Sequence, residues 1–191
     1  GDEESGSEIT WWKNDVQEPS LTGQMTLSSE STSKGETWTV MVKAGDGTDV
    51  STIALSANVT IVNSAPTVSV ALSSNVTALG PLNLTMVTED ADGDGVETDI
   101  MWYRNGFLEG SLAGEIGVPN QLLGPGQTWA VHVTPTDSDS TSGATAIKTI
   151  TVLNIEPIAQ INVQNEVIWI GEQTTLDATQ SSDVDGQIVE A

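Results

Sequence analysis

Cysteine is missing from this 191-residue chain, which removes disulfides, thiol nucleophiles and cysteine-built zinc sites together. Basic residues are nearly missing too. Five Lys and Arg stand against 27 Asp and Glu, for a formal net charge of −22. Nucleic acid and anionic membrane surfaces both need clustered Lys and Arg, so neither is expected as a partner. The acid excess fits calcium binding, a saline habitat or simple solubility. Histidine occurs once, at His132. A catalytic base needs an orienting partner and a nucleophile within reach, and nothing in the pattern supplies them, so no enzyme is expected. No apolar run approaches the ~18 residues of a membrane-crossing helix, and no signal-peptide pattern opens the chain. The opening GDEESGSE has no initiator Met, which reads as a processed or excerpted form.

What is present is sparse and repetitive. Hydrophobic residues make up 37% of the chain, and Trp supplies six of its aromatics against one Phe and one Tyr. A few Trp per module let a thin sandwich bury much apolar area at few positions. Sliding the sequence against itself gives an offset of 91 residues that runs from end to end. ITWWKND (Ile9 to Asp15) falls on IMWYRNG (Ile100 to Gly106), and GETWTVMVKAGDG (from Gly35) on GQTWAVHVTPTDS (from Gly126). NVTIVNSAP (from Asn58) falls on TITVLNIEP (from Thr149), and more weakly PTVSVAL (from Pro66) on PIAQINV (from Pro157).

Each period reads as short strands. TWTVMV and TWAVHV alternate, placing Trp38, Val40 and Val42, or Trp129, Val131 and Val133, on one face. Asn105-Gly106 reads as a tight hairpin turn. A period near 90 residues with about seven strands predicts an all-β fold of antiparallel sandwiches, each burying its own core. Pro66 and Pro157 hold the residues before them extended, so the linkers are short and the modules are expected to form an elongated rod. The expected segments are a partial module over 1–65, a complete one over 66–156 and the first strands of another over 157–191.

Trp-x-x-Asn-Gly, then Gly-x-x-Trp-x-Val-x-Val-x-x-x-Asp, then Val-x-Ile-x-Asn-x-x-Pro resembles the tandem Ig-like repeats of large microbial cell-surface proteins. The final third resembles the opening of a polycystic-kidney-disease (PKD) domain: Gly171, then Asp177-Ala178, then SSDVDG from Ser181 to Gly186. The Trp-Asp-Phe-Gly-Asp-Gly of that family is absent, and Trp102-Tyr-Arg-Asn-Gly106 stands instead. The resemblance implies secreted or cell-surface proteins whose modules act as spacers, adhesive units or protein- and glycan-contacting accessories to enzymes.

The strongest chemical constellation is Glu89-Asp-Ala-Asp-Gly-Asp-Gly-Val-Glu97. Asp90, Asp92 and Asp94 repel one another, and a hard divalent cation would relieve that repulsion. Met101 at the twelfth position and a following strand rule out an EF-hand, leaving a calcium-binding inter-strand loop, with Glu97 or Asp99 as further ligands, beside an unliganded acidic turn. The equivalent loop offers Asp183 and Asp185, with Asp177 nearby, so calcium is the expected cofactor. Trp11, Trp38, Trp102 and Trp129 recur at matched positions and read as core. Trp12 and Trp169 are out of pattern and either cover linkers or line a glycan-stacking surface or a module junction. His132 reads as solvent-facing. Asn-x-Thr sequons stand at Asn58, Asn75 and Asn83, compatible with glycosylation but frequent by chance.

In phase with the repeat, Gly1 falls on Asp92 and Ala191 on Ile100. The two end fragments therefore sum to one module. Two readings stand open: a window cut from a long array, or a subunit whose C-terminal strands complete the next subunit's N-terminal module. Both lead to a structural or adhesive role in an extracellular fibre, stalk or filament at the cell surface. Its partners would be copies or neighbouring modules of itself, with surface glycans or proteins as further contacts. The alternative is a glycan-binding accessory module of a secreted hydrolase.

Overall fold

In the computed structural model, residues 5–188 are described. They form short strands and single 3₁₀ turns. The chain divides into two compact units. One comprises Gly1–Ala65 with Asp90–Gly95 and Asp137–Thr141; the other comprises Pro66–Glu89, Val96–Thr136 and Ser142–Ala191. The first contains β1 (Glu8–Lys13), β2 (Val16–Gln17), β3 (Thr37–Lys43), β4 (Ala54–Leu55) and β5 (Val59–Thr60). The second carries β6 (Thr67–Leu72), β7 (Leu82–Glu89), β8 (Val96–Arg104), β9 (Phe107–Leu108) and β10 (Gly117–Val118). It continues with β11 (Thr128–Asp137), β12 (Ala146–Thr151), β13 (Asn162–Val163) and β14 (Leu176–Asp177).

Strands β6 to β12 form a seven-stranded sandwich. One sheet has the order β10-β7-β6 and the other β12-β11-β8-β9. The first, second and fifth strands thus face the third, fourth, sixth and seventh, which is an Ig-like arrangement of two antiparallel sheets. Period-two alternation does the sorting, because successive strand side chains point to opposite faces. Along β11, Trp129, Val131, Val133, Pro135 and Asp137 are buried while the residues between them are not. From the facing sheet Leu82 and Leu84 meet Ile100, Trp102, Trp129, Val131 and Val133 in one core. Each such fully buried side chain contributes roughly 1.5–3 kcal/mol. The sheets close tightly at one corner, where a Cβ on Gly143 would lie 1.8 Å from the Pro66 carbonyl oxygen.

Among its described residues the N-terminal unit builds one of these sheets. Its order is β2-β1-β3-β4, with β5 also pairing β3. The offset of 91 carries over bond by bond. Trp11 and Trp38 meet edge to face at 6.4 Å and 73°, and Trp102 and Trp129 at 6.5 Å and 71°. The Trp11 indole donates to the Gln24 carbonyl, and that of Trp102 to the Glu115 carbonyl, each at 2.9 Å. Asn14 Oδ1 accepts the Thr37 amide as Asn105 Oδ1 accepts that of Thr128. Both hairpin turns carry two consecutive positive φ angles, 49° and 65° at Asn14-Asp15 and 50° and 85° at Asn105-Gly106. That is the geometry favoured between twisted antiparallel strands.

A core does not carry over. Among the described residues of the N-terminal unit, Trp38 is the one buried apolar side chain. No strand in the described part of this unit faces β1 and β3 as β6 and β7 face β8 and β11. The C-terminal segment is the converse. β13 and β14 pair as a small hairpin with Val163 opposite Leu176, as Leu72 stands opposite Leu84. Keeping that apolar pair shifts β14 by one residue against the 91 offset, so the repeat is not gap-free in structure.

Candidate functional site

The acidic loop after β7 is shaped by its own first residue. Asp90 Oδ1 accepts the amides of Asp92 at 2.8 Å and Asp94 at 3.2 Å. Gly93, with φ of 80°, makes the reversal that lets Asp92 and Asp94 turn inward. Carboxylate oxygens of Asp90, Asp92 and Asp94 come within 4.8 Å of one another. Oxygens sharing one calcium ion at 2.3–2.6 Å each can lie up to about 5 Å apart, so this spacing admits the ion. Asp90 Oδ2 is a buried oxygen without a hydrogen-bond partner. Glu97 lies outside the cluster, exposed on β8.

The loop belongs to the N-terminal unit, whose residues outside the expected ligand set surround it. The Ser64 amide donates to Asp92 Oδ2 at 2.5 Å. The Lys34 ammonium bridges Asp94 and Asp139 and reaches Asn63 Oδ1 at 3.3 Å. Asn63 Nδ2 donates to Asp137 Oδ2 at 2.7 Å and to Thr141 Oγ1 at 3.0 Å. Hydrogen bonding to Asp139, then to Asp94, raises the Lys34 pKa above its ordinary value. Burial pushes the Asp137 carboxyl up, but donation from Asn63 and from the Thr141 and Asp139 amides outweighs it, and the net shift is downward. One lysine therefore serves five aspartates, which leaves the cluster strongly anionic. Lys34, Asp137 and Asp139 were not legible as site residues. The repeat carried a partial signal, since Asn63 and Asp137 match Asn154 and Asp46 at the offset.

The second acidic set is arranged differently. Asp177 Oδ1 accepts the Thr179 hydroxyl at 2.6 Å and its amide at 2.9 Å, which holds its carboxyl below the usual range. Asp183 Oδ1 accepts the amides of Asp185 and Gly186. Asp185 in turn accepts the Ile155 amide at 3.1 Å. Asp177, Asp183 and Asp185 do not converge on one point as the first set does. One feature is common to both loops: a carboxylate caps a linker amide, Asp92 on Ser64 and Asp185 on Ile155, at residues 91 apart in the linker.

On the outer face of the N-terminal sheet, Trp12, Asp15, Thr39, Met41, Leu55 and Asn58 line an open cleft of about 360 Å³. Trp12 is half-buried there, and Thr39 Oγ1 donates to Asn58 Oδ1 at 2.7 Å. Trp169 is 79% exposed. His132 is half-buried rather than free in solvent, its ring 4.4 Å from that of Tyr103, because the two strands place both side chains on one face.

No protein-family model matches the chain, and no curated protein matches it in sequence. Solved structures similar to it include the selenomethionine-substituted chicken interferon gamma receptor alpha chain, at TM-score 0.44 and 10% identity over 78% of this chain and 86% of that one. The fibronectin(III)-like modules of Clostridium thermocellum CbhA give TM-score 0.34 and 14% identity over 80% and 81%. Chicken CNTN1 FN1–FN3 domains give TM-score 0.31 and 16% identity over 78% and 54%. The sandwich assignment rests on the strand order and shared core. No helix among the described residues is long and apolar enough to cross a membrane.

Proposed function

We propose that this chain is a structural, non-catalytic piece of an extracellular surface fibre, stalk or filament, of the PKD-like kind its sequence resembles. In it, repeats complete one another through their strands and calcium stiffens the acidic loop. The observation that carries the reading is one half-sandwich built twice, 91 residues apart. Trp102, Val131 and Val133 are sealed by a facing sheet, while Trp11 is half-buried and Val42 is 36% exposed in the same local geometry. Apolar side chains left partly exposed along one sheet face mark a contact surface. Partners of that kind are other repeats, with surface glycans or proteins beyond them. The charge of −22 favours neither nucleic acid nor anionic lipid.

Calcium enters this reading through Asp90, Asp92 and Asp94, with Glu97, Asp177, Asp183 and Asp185 as outlying donors. Binding there would replace repulsion within a loop that already grips Ser64 and Lys34. Electron microscopy of the native assembly tests the fibre, and discrete globular particles would refute it. The second reading, a glycan-binding accessory module, is favoured by the Trp12 cleft. A sugar that binds the native chain and loses affinity on Trp12→Ala would support it.

A further inference from the structure

We infer that the cleft on the outer face of the N-terminal sheet binds a neutral saccharide residue, stacked on Trp12 and held through its hydroxyl groups by Asp15 and Asn58. This rests on the sugar-contact reading above and names the class of sugar and the groups that hold it. Strand register builds the cleft. Trp12 stands opposite Thr39, and Thr10 opposite Met41, which in turn stands opposite Leu55, so these five side chains share one face. It is the face turned away from Trp11 and Trp38 and does not depend on what covers them. Thr39 Oγ1 ties Asn58 to β3 at 2.7 Å, and Asp15 comes from the turn between β1 and β2. The volume of about 360 Å³ lies at the small end of small-ligand sites, roughly 300–1,000 Å³.

The repeat shows that the fold does not require this lining. On the inner face Ile9, Trp11, Trp38, Val40 and Val42 are identical to their counterparts Ile100, Trp102, Trp129, Val131 and Val133. On the outer face every residue lining the cleft differs from its counterpart. Trp12 stands for Tyr103, Asp15 for Gly106, Thr39 for Ala130, Met41 for His132, Leu55 for Ala146 and Asn58 for Thr149. In the second repeat the Tyr103 ring already has a partner, His132, at 4.4 Å. In the first, an indole, a carboxylate and a carboxamide meet around an open space instead.

Hydrogen bonding selects the ligand. Trp11, Trp38, Trp102 and Trp129 each donate the indole N–H to an oxygen. Trp12 Nε1 is buried without a partner among the described residues, and so is Thr10 Oγ1 on the same face. A buried donor left unpaired is costly, and a ligand oxygen toward which the indole turns removes that cost. Asn58 adds a second donor, because the Thr39 hydroxyl takes its Oδ1 and leaves Nδ2 to donate, while Asp15 offers acceptors alone. Sugar hydroxyls both donate and accept, so neighbouring ones serve Asp15 and Asn58 together while the C–H face of the ring lies on the indole. A bare cation would suit Asp15 but offers no acceptor to either N–H group. The Asp15 carboxylate, in a chain of net charge −22, repels uronate and sulfated sugars, which makes the ligand neutral.

Titrating the full-length chain with cellotetraose, chitotetraose and mannotetraose, followed by indole NMR, tests the site. Tetragalacturonate is the anionic comparison and tetra-alanine the peptide one. The expected result is that at least one neutral tetrasaccharide moves the Trp12 N–H resonance, while tetragalacturonate and tetra-alanine do not. Trp12→Ala should weaken that binding about tenfold or more, as should Asn58→Ala, and Trp12→Phe should retain part of it. Tyr103→Ala, at the matched position of the other repeat, should leave it unchanged. Should Trp12→Ala lose its dispersed amide spectrum, Asn58→Ala at an exposed position carries the test. An equal shift with tetragalacturonate or tetra-alanine overturns the neutral saccharide. Sugar binding that survives both Trp12→Ala and Asn58→Ala sinks this site and leaves the sugar-contact reading standing elsewhere on the chain. No shift with any of the three neutral sugars sinks both, and leaves the fibre to the micrographs.

Discussion

The N-terminal unit and the module over 66–153 contain the same half-sandwich, down to a Trp pair whose ring separations differ by 0.1 Å. Above the Trp, Lys13 lies 5.6 Å from the Trp38 ring and Arg104 lies 5.7 Å from that of Trp129. Yet Val133 is fully buried and its counterpart Val42 is 36% exposed. The difference separates two contributions that usually come together. Local geometry, meaning turns, ladder register and indole hydrogen bonds, follows from the strands and loops of a single sheet. Burial follows only from a second sheet.

The sharpest way to break this comparison is to remove a matched tryptophan from each side. Trp102→Ala empties a sealed core position and is expected to cost about 3–5 kcal/mol. Trp11→Ala removes a half-buried ring and should cost roughly 1–2 kcal/mol, less packing being lost. Urea unfolding followed by amide NMR of each unit gives both numbers. Equal losses would mean that the N-terminal face is covered in solution.

Calcium probes a second asymmetry, since the converging aspartates belong to the N-terminal unit. At a free concentration of 100 times Kd, one site adds about 2.7 kcal/mol. Calcium should raise the melting transition of that unit, and Asp92→Asn should abolish the rise. Lys34→Met should strengthen the response, because the ammonium competes for Asp94. A transition indifferent to calcium and chelator makes the loop an acidic turn.

Valine truncations sharpen the comparison further. Val133→Ala should cost about 2 kcal/mol, and Val42→Ala in dilute solution no more than about 0.5 kcal/mol, the range of surface changes. If second copies cover Val42, its cost rises with protein concentration while that of Val133 does not. Denaturant titrations at low and high concentration read this directly.

The smallest effect is one of pH. Glu36 in the N-terminal unit accepts the Trp38 indole and the Ser33 amide, where Gln127 accepts the Trp129 indole and the Gly124 amide. Donation from Ser33, ahead of that from Trp38, holds the Glu36 carboxyl below its ordinary value. A depressed folded value means stability that is present above the unfolded pKa of about 4.3 and lost as pH falls through the folded one. The Trp38 indole NMR resonance should move over that acid range while that of Trp129 stays fixed, and Glu36→Gln should abolish the movement. A Trp38 signal indifferent to acid would show that Glu36 and Gln127 are interchangeable.

The amino-acid sequence by itself determined the all-β class, the period of 91, the hairpin at Asn105-Gly106 and the face shared by Trp129, Val131 and Val133. These are local or repeated features, fixed by side-chain alternation and by residues that tolerate positive φ. It also marked Asp90, Asp92 and Asp94, because their spacing brings them together within one loop. Only the tertiary structure decided that Lys34, Asn63, Asp137 and Asp139 join that loop, since donors and acceptors far apart in the chain meet by packing. It likewise decided that Asp177, Asp183 and Asp185 stay separate, each held by its own neighbouring amides. The same holds for burial: the pattern said which face of each strand was apolar, but coverage depends on where a second sheet lies. That is why Trp11 and Trp102, alike in sequence and in local geometry, end in such different surroundings.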